Sequence, residues 1–264
     1  MRRVRWLAVV AAVLVSAGCS GPQQGTHAAT PAGSRTAAST RAPSPSPALS
    51  GVVVAVDAGH NDGNFEHTKQ INRLVDAGGF RKPCDTTGTE TDAGYREAAF
   101  TFDVTKRLTA LLRADGAKVV LTRHDDHSVG PCVNERAEIG NKARADAALS
   151  IHADGGPASG HGFHVMYAPS MAGGKKVAKA AHQLATAVRD GYRSGTDLPA
   201  ASYIGTDGLN RRTDMAGLNL STVPKVLLEC GNMRNAGDAK KLSSAGFRQR
   251  IAVALDAAVR HYLA

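Results

Sequence analysis

Four side chains that can bind a metal ion or carry a proton occupy related places in this sequence. His60 closely follows an apolar run, and His152 and Glu229 are the last residues of two other apolar runs. Glu97 falls on the apolar stripe of a helix expected over 94–115, where a carboxylate is costly unless it is paired or coordinated. Two imidazoles and one carboxylate with an open fourth position form the ligand set of a catalytic zinc site, and the remaining carboxylate then suits a general base.

Hydrophobic patterning predicts the elements that must position these residues. Continuous apolar and β-branched runs indicate buried strands, and apolar residues at helical spacing indicate amphipathic helices. We predict strands at 51–56, 117–122, 147–152, 162–167 and 225–229, and helices at 94–115, 134–145 (with Asn134 as N-cap), 174–192 and 247–263. This alternation predicts an α/β fold, a single domain with a central, mostly parallel sheet flanked by helices. In such sheets ligands bind beyond the carboxyl ends of the strands, so His60, His152 and Glu229 are expected to converge there.

Each of these residues also has a purely structural interpretation. A histidine after a strand is often a hydrogen-bonded rim residue, Glu97 suits the dipole at the start of its helix, and Glu229 suits the cap of a loop. Two further histidines, His161 and His164, lie at the start of a predicted strand, and we interpret them as surface residues.

The first 50 residues are expected to lie outside the folded domain. Residues 1–19 have the basic start, short apolar core and small-residue end of a secretory signal peptide, with an imperfect lipobox before Cys19. Residues 20–50 are rich in Pro, Ser, Ala and Thr and predict a disordered linker, which places the catalytic domain at 51–264. We expect an exported protein of the periplasmic or cell-wall space, either tethered to the membrane through lipidated Cys19 or released by ordinary cleavage.

Composition and charge exclude several classes of protein. Hydrophobic residues make up 42% and charged residues 21% of the chain, which is typical of a globular protein. Lys and Arg outnumber Asp and Glu by 32 to 23, giving a formal net charge of +9 that suits an anionic polymer. Aromatic residues are only 5%, too few for a stacking platform, so we expect no nucleic-acid partner. No apolar run reaches the roughly 20 residues of a membrane span, which excludes a multi-span membrane protein.

The cysteines predict one disulfide bond. Cys84 and Cys132 both lie in polar loops containing Gly and Pro, and an exported domain favours a disulfide between them. Cys230 follows an apolar strand and is expected to be a buried free thiol. No Cys-rich zinc spacing is present, so a metal site is expected to use the histidines and glutamates instead.

Several short motifs occur in an order typical of one enzyme family. They are VDAGH at 56–60, YRE at 95–97, VLTR at 120–123, NER at 134–136, AD at 145–146, SIHAD at 150–154 and VPKVLLECG at 223–231. In this order they closely resemble the zinc-dependent N-acetylmuramoyl-L-alanine amidases, the AmiC-like amidase-3 family, and the insert with Cys84 resembles its actinobacterial branch. The resemblance covers nearly the whole predicted domain.

The resemblance implies a role for each residue isolated above. His60, Glu97 and His152 would hold one Zn²⁺, and Glu229 would be the catalytic carboxylate. The bond cut would join the lactyl group of N-acetylmuramic acid to L-Ala of the stem peptide, in peptidoglycan or in muropeptide fragments, during turnover or remodelling of the wall. We expect a monomer. Asp57 would either orient His60 or serve as a turn residue at the strand end.

Two other functions remain open at this point. A zinc peptidase that cuts within the stem peptide would use the same site, and an exported muropeptide-binding lipoprotein would use it without catalysis. The sequence departs from the family pattern after His60, where Asn-Asp-Gly replaces Gly-Gly, and at Asp154, where Asn is usual. The polar, glycine-rich stretch 61–93 is expected to be a long loop, which is the basis of a hypothesis that it gates the site.

Overall fold

The computed structural model of the chain describes residues 48–264. The signal peptide expected at 1–19, its Cys19 and nearly all of the linker expected at 20–50 lie outside the described residues. The strands are β1 Val53–Ala58, β2 Leu74–Asp76, β3 Arg81–Pro83, β4 Lys118–Leu121, β5 Ala147–Asp154, β6 His164–Tyr167, β7 Leu209–Arg211 and β8 Lys225–Asn232. The helices are α1 Thr68–Ile71, α2 Glu97–Ala114, α3 Val133–Ala143, α4 Gly174–Thr196, α5 Ala216–Asn219, α6 Ala236–Leu242 and α7 Ala245–Leu263, with a 3-10 helix at Asp62–Glu66.

Six of the strands form one sheet in the order β4-β1-β5-β8-β6-β7. β1 lies parallel to β4 and β5, β5 lies parallel to β8, and β6 runs antiparallel to β8. The predicted α/β fold with a mostly parallel central sheet is therefore confirmed. Because β1, β5 and β8 are adjacent and parallel, their carboxyl ends meet at one edge, where His60, His152 and Glu229 are found.

Alternate residues of the central strands face opposite sides of the sheet. One face packs against α2, α4 and α7 through a large apolar core that includes Val56, Ile151, Leu108, Tyr192 and Leu255. Each large side chain buried there contributes about 1.5–3 kcal/mol of hydrophobic stabilisation. The other face carries smaller and polar residues and packs against α3, α5 and the first half of α4. His152 and Glu229 lie on this second face.

The folded region begins earlier than the sequence predicted. Leu49 is only 2% exposed, belongs to the main core, and donates a backbone hydrogen bond of 2.8 Å to the Asp115 carbonyl. The boundary expected after residue 50 was therefore placed too late, because a single leucine next to a Pro/Ser-rich stretch gives no periodic signal. In residues 48–264, no helix is both long and apolar enough to cross a membrane.

The stretch 61–93 contains regular structure as well as loop. After the short 3-10 helix and α1, strands β2 and β3 form an antiparallel hairpin. These elements are three to five residues long, too short for a hydrophobic pattern to reveal. Similarly, α3 begins at Val133 with Cys132 as its N-cap, and the predicted N-cap Asn134 lies within its first turn.

Candidate metal centre

His60, Glu97 and His152 come together at the carboxyl edge of the sheet. Each offers one ligand atom, and these three atoms lie within 4.8 Å of one another. Oε1 of Glu97 is 3.3 Å from Nε2 of His60 and 2.9 Å from Nδ1 of His152. Residues separated by up to 92 positions thus converge because β1, α2 and β5 end or begin at one point, which the sequence pattern had indicated.

Local backbone structure explains how each side chain reaches this point. His60 lies two residues after β1 in a left-handed conformation with φ of 58°, which turns its side chain back over the strand ends. Glu97 is the first residue of α2, and His152 lies within β5. The neighbour Gly59 leaves room for the cluster, since a Cβ there would come within 2.2 Å of the His152 ring.

Glu97 is fixed from several directions. Its carboxylate accepts backbone hydrogen bonds from Thr89 at 3.0 Å and Ala153 at 3.1 Å. Burial alone would raise the pKa of Glu97, but His60 and His152 lower that pKa well below its ordinary value. The carboxylate is therefore ionised and held in place, as a metal ligand must be.

The partner of the second nitrogen of His60 is Asp85, a residue that the sequence analysis did not single out. Nδ1 of His60 lies 3.0 Å from Oδ1 of Asp85 and 3.2 Å from the Thr86 carbonyl oxygen. Asp85 also accepts a hydrogen bond of 3.1 Å from Nη2 of Arg136. The one signal for Asp85 in the sequence was its position directly after Cys84.

Asp57 does not contact His60, so the suggestion that it orients this imidazole was wrong. Its buried carboxylate instead accepts hydrogen bonds from Thr122, Ser150, Arg136 and Lys225 on the sheet face, at 2.7 to 3.2 Å. Burial would raise the pKa of Asp57, but the Lys225 and Arg136 cations hold that pKa well below its ordinary value. Asp57 thus balances two buried cations beneath the site.

Glu229 stands next to the cluster without joining it. It is the register partner of His152 on the neighbouring strand, and it is 8% exposed. Within residues 48–264, its Oε2 atom is buried and has no hydrogen-bond partner. Burial, followed by the negative charges of Glu97 and Asp154, raises the pKa of Glu229 well above its ordinary value. A carboxyl group with a raised pKa holds and returns a proton more readily than an ordinary glutamate does.

His164 is buried, contrary to its interpretation as a surface residue, whereas His161 is exposed as expected. His164 is the antiparallel register partner of Glu229, and its Nε2 lies 3.2 Å from Oδ2 of Asp154. The Tyr203 hydroxyl donates to the same oxygen at 2.9 Å. The place of His164 at the start of the predicted strand, one residue after Phe163, was the reason for expecting it at the surface, whereas the alternation of inward residues along the strand could have revealed its burial.

A cavity of about 260 Å³ opens beside the cluster. Its walls include His60, His152 and Glu229 together with apolar side chains from α3, α5 and β8, such as Val133 and Leu218. A substrate group can therefore enter next to both the candidate ligands and the candidate base.

The predicted pairing of Cys84 with Cys132 is present in the structure, where the two cysteines form a disulfide bond. Among the cysteines of residues 48–264, Cys230 is free, and it is buried as expected. The disulfide joins the residue before Asp85 to the N-cap of α3.

Comparison with known proteins identifies the family of this chain. The sequence model of the Amidase_3 family, described as N-acetylmuramoyl-L-alanine amidase, matches residues 54–261. The N-acetylmuramoyl-L-alanine amidase Rv3717 of Mycobacterium tuberculosis is 43% identical over 217 residues, which are 82% of this chain and 88% of that protein.

Solved structures agree with this match. The crystal structure of the amidase Ami1 from Mycobacterium smegmatis is 43% identical with a TM-score of 0.77, over 81% of this chain and 98% of that one. The apo form of Ami1 from Mycobacterium abscessus is 42% identical with a TM-score of 0.78, over 82% of this chain and all 100% of that one.

The fold and the site define an α/β protein with a His–Glu–His cluster and an adjacent buried carboxyl group at the carboxyl edge of its sheet. The chain belongs to the Amidase_3 family of N-acetylmuramoyl-L-alanine amidases. Its enzyme class, an amidase of peptidoglycan, follows from this membership.

Proposed function

We propose that this amidase is zinc-dependent and uses His60, Glu97 and His152 as its metal ligands and Glu229 as its general base. The bond cleaved is the amide between the lactyl group of N-acetylmuramic acid and L-Ala of the stem peptide. The observation that carries the proposal is the meeting of the three ligand atoms within 4.8 Å, with Glu229 as register partner of His152.

The donor set suits zinc, and one of the distances between its atoms matches a tetrahedral zinc site. Zinc takes imidazole nitrogen at about 2.0–2.1 Å and carboxylate oxygen at about 2.0–2.2 Å, so neighbouring ligand atoms in a tetrahedral site are about 3.3 Å apart. The distance between Nε2 of His60 and Oε1 of Glu97 is 3.3 Å. When bound, zinc would supply Lewis-acid polarisation of the amide carbonyl and a lower pKa for an attacking water.

Glu229 performs the proton transfers in this proposal. Its carboxylate takes a proton from the water that attacks the carbonyl carbon, and then gives that proton to the nitrogen of L-Ala as the carbon–nitrogen bond breaks. The products are a lactyl carboxylate and a stem peptide with a free amino terminus. The raised pKa of Glu229 supports this role, since a base with a strongly lowered pKa would return the proton poorly.

The two other functions considered from the sequence receive less support. A muropeptide-binding protein without catalysis has no need for a buried carboxyl group with an unpartnered oxygen beside the cluster. A peptidase that cuts within the stem peptide would need the same residues, but Rv3717 and both Ami1 proteins are named as N-acetylmuramoyl-L-alanine amidases.

The site of action in the proposal is the space outside the cytoplasm, where the protein acts as a monomer on peptidoglycan or its fragments. The Cys84–Cys132 disulfide supports this location, since such bonds persist mainly in oxidising compartments. The net charge of +9 suits an anionic wall polymer. The tether through lipidated Cys19 belongs to the same proposal, and labelling with a radioactive fatty acid would test it.

The proposal is tested with a defined muropeptide and mass spectrometry of the products. We expect release of an intact stem peptide beginning with L-Ala, abolished by a chelator and restored by zinc. Cleavage inside the peptide would keep the metal site and contradict the bond assignment. Binding without any product would support the non-catalytic alternative.

A further inference from the structure

We propose that Asp85 is a positioning residue for the metal ligand His60, and that the Cys84–Cys132 disulfide holds Asp85 in place, so that zinc affinity depends on the disulfide. This inference rests on the metal site proposed above. It assigns to Asp85, the disulfide and Arg136 a function in metal binding beyond their contribution to the stability of the fold.

The two imidazole nitrogens of His60 face different partners. Its Nδ1 faces Oδ1 of Asp85 at 3.0 Å and the carbonyl oxygen of Thr86 at 3.2 Å, while its Nε2 faces Glu97. Two acceptors at Nδ1 keep the proton there and leave Nε2 free to bind a metal ion. A carboxylate in this outer position fixes the orientation of an imidazole and strengthens it as a ligand.

Both acceptors come from the same short segment, directly after Cys84. Asp85 and Thr86 are the next two residues in the chain, and they follow the hairpin β2–β3 rather than any strand of the main sheet. No long element of regular structure therefore holds this segment at the site. Its position depends on its own contacts, which include a hydrogen bond of 2.8 Å from Nδ2 of Asn64 to the Thr86 carbonyl oxygen. The backbone amides of Cys84 and Asp85 also donate to the carbonyl oxygens of Arg73 and Ile71.

The start of α3 supplies further contacts, one of which is covalent. Cys84 is bonded to Cys132, the N-cap of α3, and its carbonyl oxygen accepts a hydrogen bond of 2.7 Å from Val133. Arg136, in the first turns of the same helix, donates to Asp85 at 3.1 Å. The disulfide is the only covalent tie among them, so its loss leaves the segment held by hydrogen bonds alone.

Arg136 links this segment to the backbone that carries His60. It is 4% exposed, and it donates to the carbonyl oxygens of Ala58 at 2.6 Å and His60 at 3.2 Å. The start of α3 therefore fixes both the imidazole's backbone and the carboxylate that faces its outer nitrogen. A displacement of Asp85 relative to α3 is a displacement relative to His60.

A disulfide that served only to stabilise the fold would behave differently. Its loss would lower the midpoint of thermal unfolding but leave the zinc dissociation constant of the folded protein unchanged. Zinc affinity, measured by competition with a chromophoric chelator under conditions where each variant is folded, separates the two roles.

The experiment compares four proteins with the wild-type chain: Asp85→Ala, Cys84→Ala/Cys132→Ala, the triple variant, and the control Asp76→Ala, which removes an exposed carboxylate from the same hairpin. We expect Asp85→Ala and the double cysteine variant each to weaken zinc binding by about 10- to 100-fold, the range for outer-shell partners. The control should bind zinc as the wild type does.

The triple variant tests whether the disulfide affects zinc affinity through Asp85 or independently of it. Because the disulfide acts through the segment of Asp85, the triple variant should bind zinc no more than about threefold more weakly than the weaker of its two parents. Wild-type affinity in Asp85→Ala or in the folded double cysteine variant would overturn the inference, as would effects that multiply in the triple variant. If the cysteine variant does not fold, Asp85→Ala measured against Asp76→Ala still tests whether Asp85 positions His60. Failure of the wild-type chain itself to bind zinc would instead refute the proposed metal site.

Discussion

His152 and Glu229 are register partners on the adjacent parallel strands β5 and β8. Register partners point to the same face of a sheet, so a candidate metal ligand and the candidate base are held side by side by backbone hydrogen bonds rather than by loops. This arrangement explains why the two roles are carried by strand residues. Rigid elements maintain the separation that proton transfer at a metal-activated water requires.

Replacement of Glu97 by Gln should remove the metal. The substitution keeps the shape of the side chain but takes away the charge between His60 and His152. We expect zinc affinity to fall by more than about 100-fold, beyond the effect of outer-shell partners. Elemental analysis of the protein after dialysis would measure this loss. The exposed His161→Ala should retain one zinc per chain, and equal zinc contents in the two variants would contradict the ligand assignment.

The raised pKa of Glu229 has a consequence for stability in the presence of a chelator. Since its pKa is higher in the folded state, the neutral form stabilises the fold at low pH, and this contribution is lost as the pH rises through the folded-state pKa. Glu229→Gln avoids the loss. We expect the variant to gain about 1–3 kcal/mol relative to the wild type between pH 4 and pH 8, because each unit by which folding raises a pKa corresponds to about 1.4 kcal/mol.

Urea unfolding at both pH values would measure this difference. Glu138→Gln, which changes an exposed glutamate on α3, provides the matched control and should show less than about 0.5 kcal/mol at either pH. A Glu229→Gln variant whose relative stability does not change with pH would show that the carboxyl group titrates normally.

Asp57 should be important for folding rather than for chemistry. Asp57→Ala leaves the buried Lys225 without its carboxylate partner, whereas Arg136 keeps its ion pair with Asp85. Uncompensated buried charge typically costs about 3–5 kcal/mol, so the free energy of unfolding should fall by that amount. Asp190→Ala, at an exposed position on α4, should change it by less than about 0.5 kcal/mol. Similar values for the two variants would refute the account of the buried charges.

Leu49 should contribute to the core although it precedes the first strand. Leu49→Ala removes a side chain that is 2% exposed, and we expect a loss of about 2–5 kcal/mol in unfolding free energy. Leu74→Ala makes the same change at a residue that is 51% exposed, and its effect should stay below about 1 kcal/mol. A negligible effect at Leu49 would place the domain boundary after residue 50, as the sequence had suggested.

The long strands and helices and the four principal residues of the candidate site could be predicted from the sequence. Apolar runs such as 147–152 predict a strand correctly because a strand buried on both faces is largely apolar, and His152 lies two residues before its end. Glu97 was recognisable because a charge stands on the buried face of α2. Both signals arise from burial, because the pattern of apolar residues in the sequence shows which faces of a strand or helix are buried.

The outer partners of the site could not be predicted in the same way. Asp85 follows a three-residue strand and reaches His60 only because the disulfide and Arg136 hold it there. His164 is buried because a neighbouring strand happens to pair it with Glu229. Such contacts depend on tertiary pairing over long sequence distances. Local patterns of residue types can indicate that a side chain is buried, but they do not identify its partner.

The most direct test of the account measures zinc content and turnover together in Glu229→Gln. The account separates metal binding, by His60, Glu97 and His152, from proton transfer by Glu229. We therefore predict that the variant retains one zinc per chain with an affinity close to that of the wild type, while turnover of a defined muropeptide falls by about 10²–10⁴-fold. Loss of zinc together with activity would make Glu229 a ligand, and full activity in a zinc-loaded variant would contradict its role as the base.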